Sequence, residues 1–192
     1  MVQGSSAWLA ARSRRVGGSD IAVIMRISPY KTRRDLWKEK TGRKAIPSIS
    51  HLPHVKRGID AEPIARSMLE RELNVTYTTP VIVHPAYPWA VASLDGICPD
   101  HTLEIKTMSA ARHEDARLGT VPLYYVMQVQ WGLMCSGLDR GLFASFRPED
   151  GTIHKVWIDA DHDLHERMLE KAEEFIGWVN NDKEPPDESV IV

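Results

Sequence analysis

The residues with the most chemical potential in this 192-residue chain surround a turn. They are Asp95 in Ser93-Leu94-Asp95-Gly96 and, after eight intervening residues, Glu104 with Lys106 in Leu103-Glu104-Ile105-Lys106-Thr107. Side chains alternate faces along a strand, so Leu103 and Ile105 would enter the core while Glu104 and Lys106 emerge together on the other face. A hairpin would bring Asp95 beside them. Two carboxylates and an ammonium at one end of a sheet make a hard-oxygen site for Mg2+, with Mn2+ as a substitute, at which a water can be oriented or deprotonated. That is a phosphodiester hydrolysis site by type. The same spacing also describes a surface hairpin with a turn Asp and an exposed Glu/Lys pair. Glu62, in Arg57-Gly58-Ile59-Asp60-Ala61-Glu62-Pro63, reads either as a third carboxylate or as an exposed helix acid.

The elements that must position these residues follow from periodicity and stop signals. Ser5 or Ser6 caps a helix over Ala7–Arg15, which Gly17-Gly18 breaks. Ser19 is placed to cap a short helix over Asp20–Met25, with the acid Asp20 at its positive end. Thr32 caps a third, through Lys40, closed by Gly42. Residues 45–53 read as a loop. From His54 to Leu73, the positions Ile59, Ile64, Met68, Leu69 and Leu73 suit an inner helix face, with Pro63 either kinking the helix or marking its start. Strands are predicted at Val75–Val83, Trp89–Ser93 and Thr102–Thr107, the last two joined as a hairpin through residues 95–101. An apolar helix over Val121–Met134 starts near Pro122 and ends at Gly137. Strands at Gly141–Phe146 and Ile153–Ile158 precede a helix over Asp161–Val179, whose inner face carries Leu164, Met168, Ala172, Phe175 and Ile176. The order predicts an α/β domain with a mixed central β-sheet flanked by helices.

Composition sets the frame. With 43% hydrophobic and 26% charged residues, residues 1–192 suit one globular domain that needs no structural metal or disulfide. Cys98 and Cys135, with no CxxC pair, exclude zinc ribbons and cysteine-ligated clusters and read as buried thiols. No apolar run long enough for a membrane span or signal peptide occurs, which predicts an intracellular protein with no membrane partner.

The net charge of −2 conceals an asymmetry: residues 1–57 carry +10 and residues 58–192 carry −12. The chain therefore divides into a basic helical segment (1–57), a core (58–158) and an acidic final helix and tail (159–192). The Arg-rich start suits either a polyanion such as nucleic acid or pairing with the protein's own acids. Among the eight histidines, His162 and His165 read as part of a solvated acidic turn, and His84, His101 and His113 have no partners at ligand spacing.

Five ordered motifs run from Trp8 to the apolar helix: W-L-A-A-R-x6-S-D-I-A, R-G-x3-E, S-L-D-G, L-E-I-K-T and Y-Y-V-M-Q-V-Q-W. In this order and spacing the sequence resembles the PD-(D/E)XK nuclease superfamily. More closely, it resembles the phage-type recombination exonucleases of the lambda exonuclease (YqaJ) family.

The resemblance implies a PD-(D/E)XK core in which Asp95, Glu104 and the backbone carbonyl of Ile105 hold metal, with Glu62 reaching a second metal or its waters. It implies that Lys106 holds and activates the attacking water, near Gln128 and with Tyr125 in support. Arg12 and Ser19 match a pocket for a terminal 5′ phosphate, and Trp8 a position near DNA. The activity implied is a Mg2+-dependent 5′→3′ exonuclease on double-stranded DNA ends that leaves 3′ overhangs by two-metal hydrolysis. It would be a homotrimeric ring in a bacterial host cytoplasm, serving phage recombination with a single-strand annealing protein. The acidic tail of one subunit would face the basic segment of the next. Leu94 replaces the superfamily's proline, and residues 26–57 depart from the family pattern, so Lys31, Arg33, Arg34 and Lys38 are assigned only to general phosphate contact. Within the enzyme class the alternative is another nuclease with this core, an endonuclease or repair nuclease; outside it, a non-catalytic DNA-end binding module.

Overall fold

The computed structural model describes residues 14–46 and 51–186. The helix expected over Ala7–Arg15, with Trp8 and Arg12, lies outside the described residues apart from Arg14 and Arg15, which form a turn and a bend. Among the described residues, six helices and six strands follow. They are α1 (Gly18–Ile24), α2 (Arg33–Lys40), α3 (Pro53–Leu73), β1 (Val81–Val83), β2 (Val91–Ser93), β3 (Gly96–Ile97), β4 (Thr102–Thr107), α4 (Ala110–Arg117), α5 (Leu123–Ser136), β5 (Arg140–Arg147), β6 (Thr152–Asp159) and α6 (His162–Asn180).

The central sheet has the order β3-β4-β5-β6, with β4 and β5 parallel and the outer pairs antiparallel. Its mixed character matches the expectation. The expected hairpin between the strand ending at Ser93 and β4 does not form. Instead β2 pairs antiparallel with β1, while the two-residue β3 takes the place beside β4, with Gly96 opposite Leu103. Only Val81–Val83 of the long strand predicted from Val75 joins a ladder, with an isolated bridge from Thr78 to Ile97.

Both faces of the sheet are covered. Leu103 and Ile105 pack with Leu142, Ala144 and Phe146 against Ala61, Ala65 and Leu69 of α3. The inner face of α3 differs from the expectation, since Ile59 and Ile64 are exposed. Small alanines let the helix sit close to β4, and the branched side chains turn outward. Pro53 in the first turn, rather than Pro63, starts this helix. On the other face, Phe143 packs with Val129 and Leu133 of α5. A further cluster joins Val16, Ile21 and Ile24 to Trp131 of α5 and to Met168, Phe175 and Ile176 of α6, as the period of α6 predicts.

Thr32 caps α2 by accepting from Asp35 N–H, and Gly42 follows at φ 74°. Ser19 is not the cap of α1. That place belongs to Gly17, whose N–H donates to the Asp20 carboxylate at 2.9 Å, so Ser19 lies inside the first turn. Pro122 and Gly137 bracket α5 as expected. Cys98 and Cys135 are buried free thiols. No helix among the described residues is long and apolar enough to cross a membrane.

Three histidines are structural. His165 is buried and hydrogen-bonds Gln130 Oε1 at 2.7 Å, which corrects its reading as part of a solvated turn. Gln130 completes the link by donating to the Asp159 carbonyl and accepting from Asp161 N–H. His113 bridges Ser145 and Thr152, and His101 sits between Tyr77 and Cys98.

The basic segment is largely tied to the protein's own acids. Arg33 is buried with its guanidinium 5.3 Å from the Trp178 ring centroid, which removes it from general phosphate contact. Lys31 pairs with Glu39 at 2.8 Å, Arg43 with Asp182 at 2.7 Å, and Arg34 with Glu184. The last two pairings engage tail acids within the same chain that the sequence reading gave to a neighbouring subunit.

Candidate active site

The alternation along β4 puts Leu103 and Ile105 under α3 and turns Glu104 and Lys106 beneath α5. They meet there at 2.5 Å, with side chains 12% and 27% exposed. Because β3 is only two residues long, the β4 edge is open beyond Leu103. Asp95, just before β3, reaches that edge and accepts from Ile105 N–H through Oδ2 at 2.8 Å. The N–H and C=O of one strand residue point to the same edge, so the Ile105 carbonyl faces the Asp95 side. Gly132 allows α5 to close over this turn, since a Cβ there would lie 2.9 Å from Leu94 Cδ2.

Glu62 approaches from α3, but its carboxylate is held by Arg66, one helical turn on, at 2.9 Å. The same guanidinium donates to the Asp95 backbone carbonyl at 2.7 Å, fastening α3 to the turn. Consequently, no three His, Cys, Asp or Glu side chains among the described residues are grouped to hold a metal ion. The nearer oxygen set is Asp95, Glu104 and the Ile105 carbonyl, with Glu62 diverted to Arg66. Sequence reasoning missed Arg66, although its i, i+4 spacing from Glu62 was the available signal.

Three carboxylates here face two cations, and the ionisation of the group reflects that. Burial pushes the Glu104 carboxyl up to about 7, with Lys106 opposing and the charges of Asp95 and Glu62 adding to the rise. Glu62 is raised by burial and then by Asp95, against Arg66 and Lys106. Burial alone would lower Lys106, but the charges of Glu104 and Asp95 outweigh it and the ammonium is held above its usual range. Hard oxygens with surplus negative charge are the chemistry a divalent cation of the Mg2+ kind satisfies, so the donor set fits such an ion.

A cavity of about 140 Å3 opens over these residues, and Gly17, Gly18, Ser19, Asp95, Glu104, Lys106 and Gln128 line it. Ser19 thus shares a chamber with the acid pair. The Gln128 Oε1 is buried there without a hydrogen-bond partner among the described residues, an arrangement that costs stability unless something arrives to donate to it. One turn before it, Tyr125 lies under the Lys106 ammonium, 5.5 Å from ring centroid to Nζ, and stacks on Phe143. The face shared by Tyr125 and Gln128 is therefore as expected.

The profile of the YqaJ-like viral recombinase domain matches residues 7–139, a stretch that contains every residue of this chamber. The chain belongs to that family. YqaJ of Bacillus subtilis (strain 168) is 30% identical over 182 residues, covering 92% of this chain and 55% of the relative. Protein D345L of African swine fever virus is 27% identical over 209 residues, covering 88% and 58%. The chain thus spans a little over half the length of these curated relatives. Among solved structures, the alkaline exonuclease LHK-Exo from Laribacter hongkongensis superposes with a TM-score of 0.79 at 24% identity, over 93% of this chain and 94% of that one. At that identity the likeness establishes the fold, an α/β core with a mixed sheet flanked by helices, as the sequence predicted. In this YqaJ-like domain, Arg12 and Trp8 are the two expected site residues outside the described region, and the chamber gathers Ser19, Asp95, Glu104, Lys106 and Gln128.

Proposed function

We propose that this protein is a Mg2+-dependent 5′→3′ exonuclease acting on the ends of double-stranded DNA and leaving 3′ overhangs for recombination. The observation that carries the reading is the open β4 edge, where Asp95, Glu104 and Lys106 converge in one chamber with Ser19 and the orphaned Gln128 oxygen. Family membership and the shared fold of a known alkaline exonuclease support it.

Asp95, Glu104 and the Ile105 carbonyl would hold Mg2+, one ion or a pair, which supplies positive charge to the reacting phosphate and acidity to water. The other roles belong to the side chains. Lys106 is an ammonium beside Glu104, so it serves as a donor that holds the attacking water or a phosphate oxygen. Taking a proton from that water requires the carboxylate charge around Lys106 to be neutralised first. Gln128 Oε1 accepts a hydrogen bond from the same water and orients its lone pair. Arg66 keeps Glu62 and the Asp95 turn in register. If Arg12 and Ser19 take a terminal 5′ phosphate, each cut must regenerate one. Water therefore attacks phosphorus and the P–O3′ bond breaks, with the proton passing to the departing O3′. A homotrimeric ring and a single-strand annealing partner belong to the same reading, and a monomeric mass by light scattering would remove the ring.

The test is digestion of linear duplex bearing a 5′ phosphate or a 5′ hydroxyl, with Mg2+ or EDTA, beside a closed circle. Metal-dependent loss of the linear DNA, faster with the 5′ phosphate and sparing the circle, is expected. Cutting of the circle would shift the assignment to an endonuclease, and binding without digestion to a DNA-end module.

A further inference from the structure

Beside the chamber, on the far side of Tyr125, lies a wider hollow of about 690 Å3 to which the activity above gives no task. Tyr30 stands at its mouth, 74% exposed, an unfavourable setting for a large ring. The ring is nonetheless presented by a pinned loop. The N–H groups of Ile27 and Ser28 both donate to the Ala22 carbonyl, and Tyr30 N–H donates to Ser28 Oγ. Pro29 restricts the same turn.

From Tyr30 the aromatic surface runs inward. Tyr30 meets Tyr124 edge-on at 5.8 Å, Tyr124 meets Tyr125 at 4.4 Å, and Tyr125 lies beneath Lys106. Thr107, the residue after Lys106, lines the floor with Met108 and Ser109, and Arg112 from the first turn of α4 lines the hollow as well. No acid lines it. Tyr124 raises the Tyr30 phenol by hydrogen bonding while Arg112 pulls it the other way, which shows that the three side chains converge.

A pinned and exposed aromatic ring, a guanidinium and a hollow that only the Tyr125 ring separates from Lys106 have one natural ligand class. Flat bases stack on aromatic rings whatever their sequence, and arginine accompanies them at the phosphate. We propose that the hollow bounded by Tyr30, Tyr124, Tyr125 and Arg112 is a stacking subsite for an unpaired nucleobase of the strand whose phosphate lies at Lys106. It rests on the reading of the chamber as a DNA site. On entering the hollow the base gives up its pairing and stacking, for which Tyr30 compensates.

The test is a binding cycle in EDTA, where no cleavage occurs, read by fluorescence anisotropy of a duplex with a short unpaired 5′ tail. Tyr30→Ala should weaken binding about tenfold and Tyr30→Phe should bind as wild type, within the range that aromatic stacking spans. A tail of abasic residues should weaken wild type by a similar factor and abolish the difference between wild type and Tyr30→Ala. Equal losses for Tyr30→Ala on natural and abasic tails, or no loss on either, would overturn the subsite while leaving the nuclease reading untouched. Conversely, wild-type protein that shows the coupled loss but digests no DNA with Mg2+ would retain the subsite and remove the nuclease. Absence of any DNA binding would remove both.

Discussion

Two carboxylate–ammonium pairs, one buried and one partly open to the chamber, can be set side by side in this molecule, and they do opposite things. Asp20 and Lys40 meet at 2.7 Å with side chains 9% and 6% exposed. Asp20 also accepts from Gly17 N–H, and Lys40 also donates to the Arg15 carbonyl, so each charge has a second partner fixed in the backbone. Glu104 and Lys106 meet at 2.5 Å, but Asp95 and Glu62 stand close enough to raise the Glu104 pKa, and a buried Gln128 oxygen waits unpartnered in the same chamber. Close pairing is common to both. What distinguishes the chemical site is unfinished business: surplus negative charge and an unused acceptor, the signature of a place prepared for something that is not protein.

Deleting the lysine from each pair should give opposite results. Lys106→Ala, or Glu104→Ala, should lower DNA hydrolysis by about 10³-fold or more while leaving circular dichroism and duplex affinity close to wild type. A normal digestion rate in either variant would end the assignment of the site. Lys40→Ala should do the reverse. Removing one member of a buried pair strands the other charge and costs about 3–5 kcal/mol, a fall of roughly 10 °C in the melting temperature of a domain this size. Activity below the melting transition should fall far less than in Lys106→Ala.

Proton linkage sharpens the contrast. Burial raises the folded Glu104 carboxyl towards about 7, against the ordinary carboxyl value of 4.5 in the unfolded chain. Between these values the folded state binds more protons, so rising pH favours unfolding. Melting curves in EDTA should therefore show stability falling from pH 5 to pH 7.5 in wild type and a flatter profile in Glu104→Gln; parallel profiles would remove the claim. The smallest effect belongs to Gln128→Met, which replaces an unsatisfied buried oxygen with an apolar chain of similar length. It should raise stability by about 1 kcal/mol in thermal melts while slowing digestion, and a loss of stability would mean that the oxygen is satisfied after all.

The parts of the fold legible in the sequence were those written in local chemistry. The alternation in β4, the Thr32 cap and the Pro122 and Gly137 ends of α5 are readable because a residue and its near neighbours decide them. Pairing between distant segments was not readable. Gly96-Ile97 is too short to carry a pattern, yet by pairing with β4 it sends β2 to β1 and leaves open the edge that Asp95 occupies. The Ile59 and Ile64 spacing suggested an inner face, but the close approach of α3 to the sheet selected Ala61 and Ala65. In the site, the acid–lysine set was legible as residue types on one strand face. The diversion of Glu62 to Arg66 was not, because it depends on where the Asp95 carbonyl ends up in space.

One feature of the core bears on how the protein is made. The cluster that seats Val16, Ile21 and Ile24, and with them the Gly17–Ser19 wall of the chamber, is closed by Met168, Phe175 and Ile176. Those partners leave the ribosome about 150 residues later, and contacts of such separation form slowly because the loop between them must first be ordered. Until the last helix docks, a nascent chain holds its acids and lysine on a sheet but lacks the wall opposite them. Assembly order alone thus leaves the chamber without its Gly17–Ser19 wall until α6 has docked.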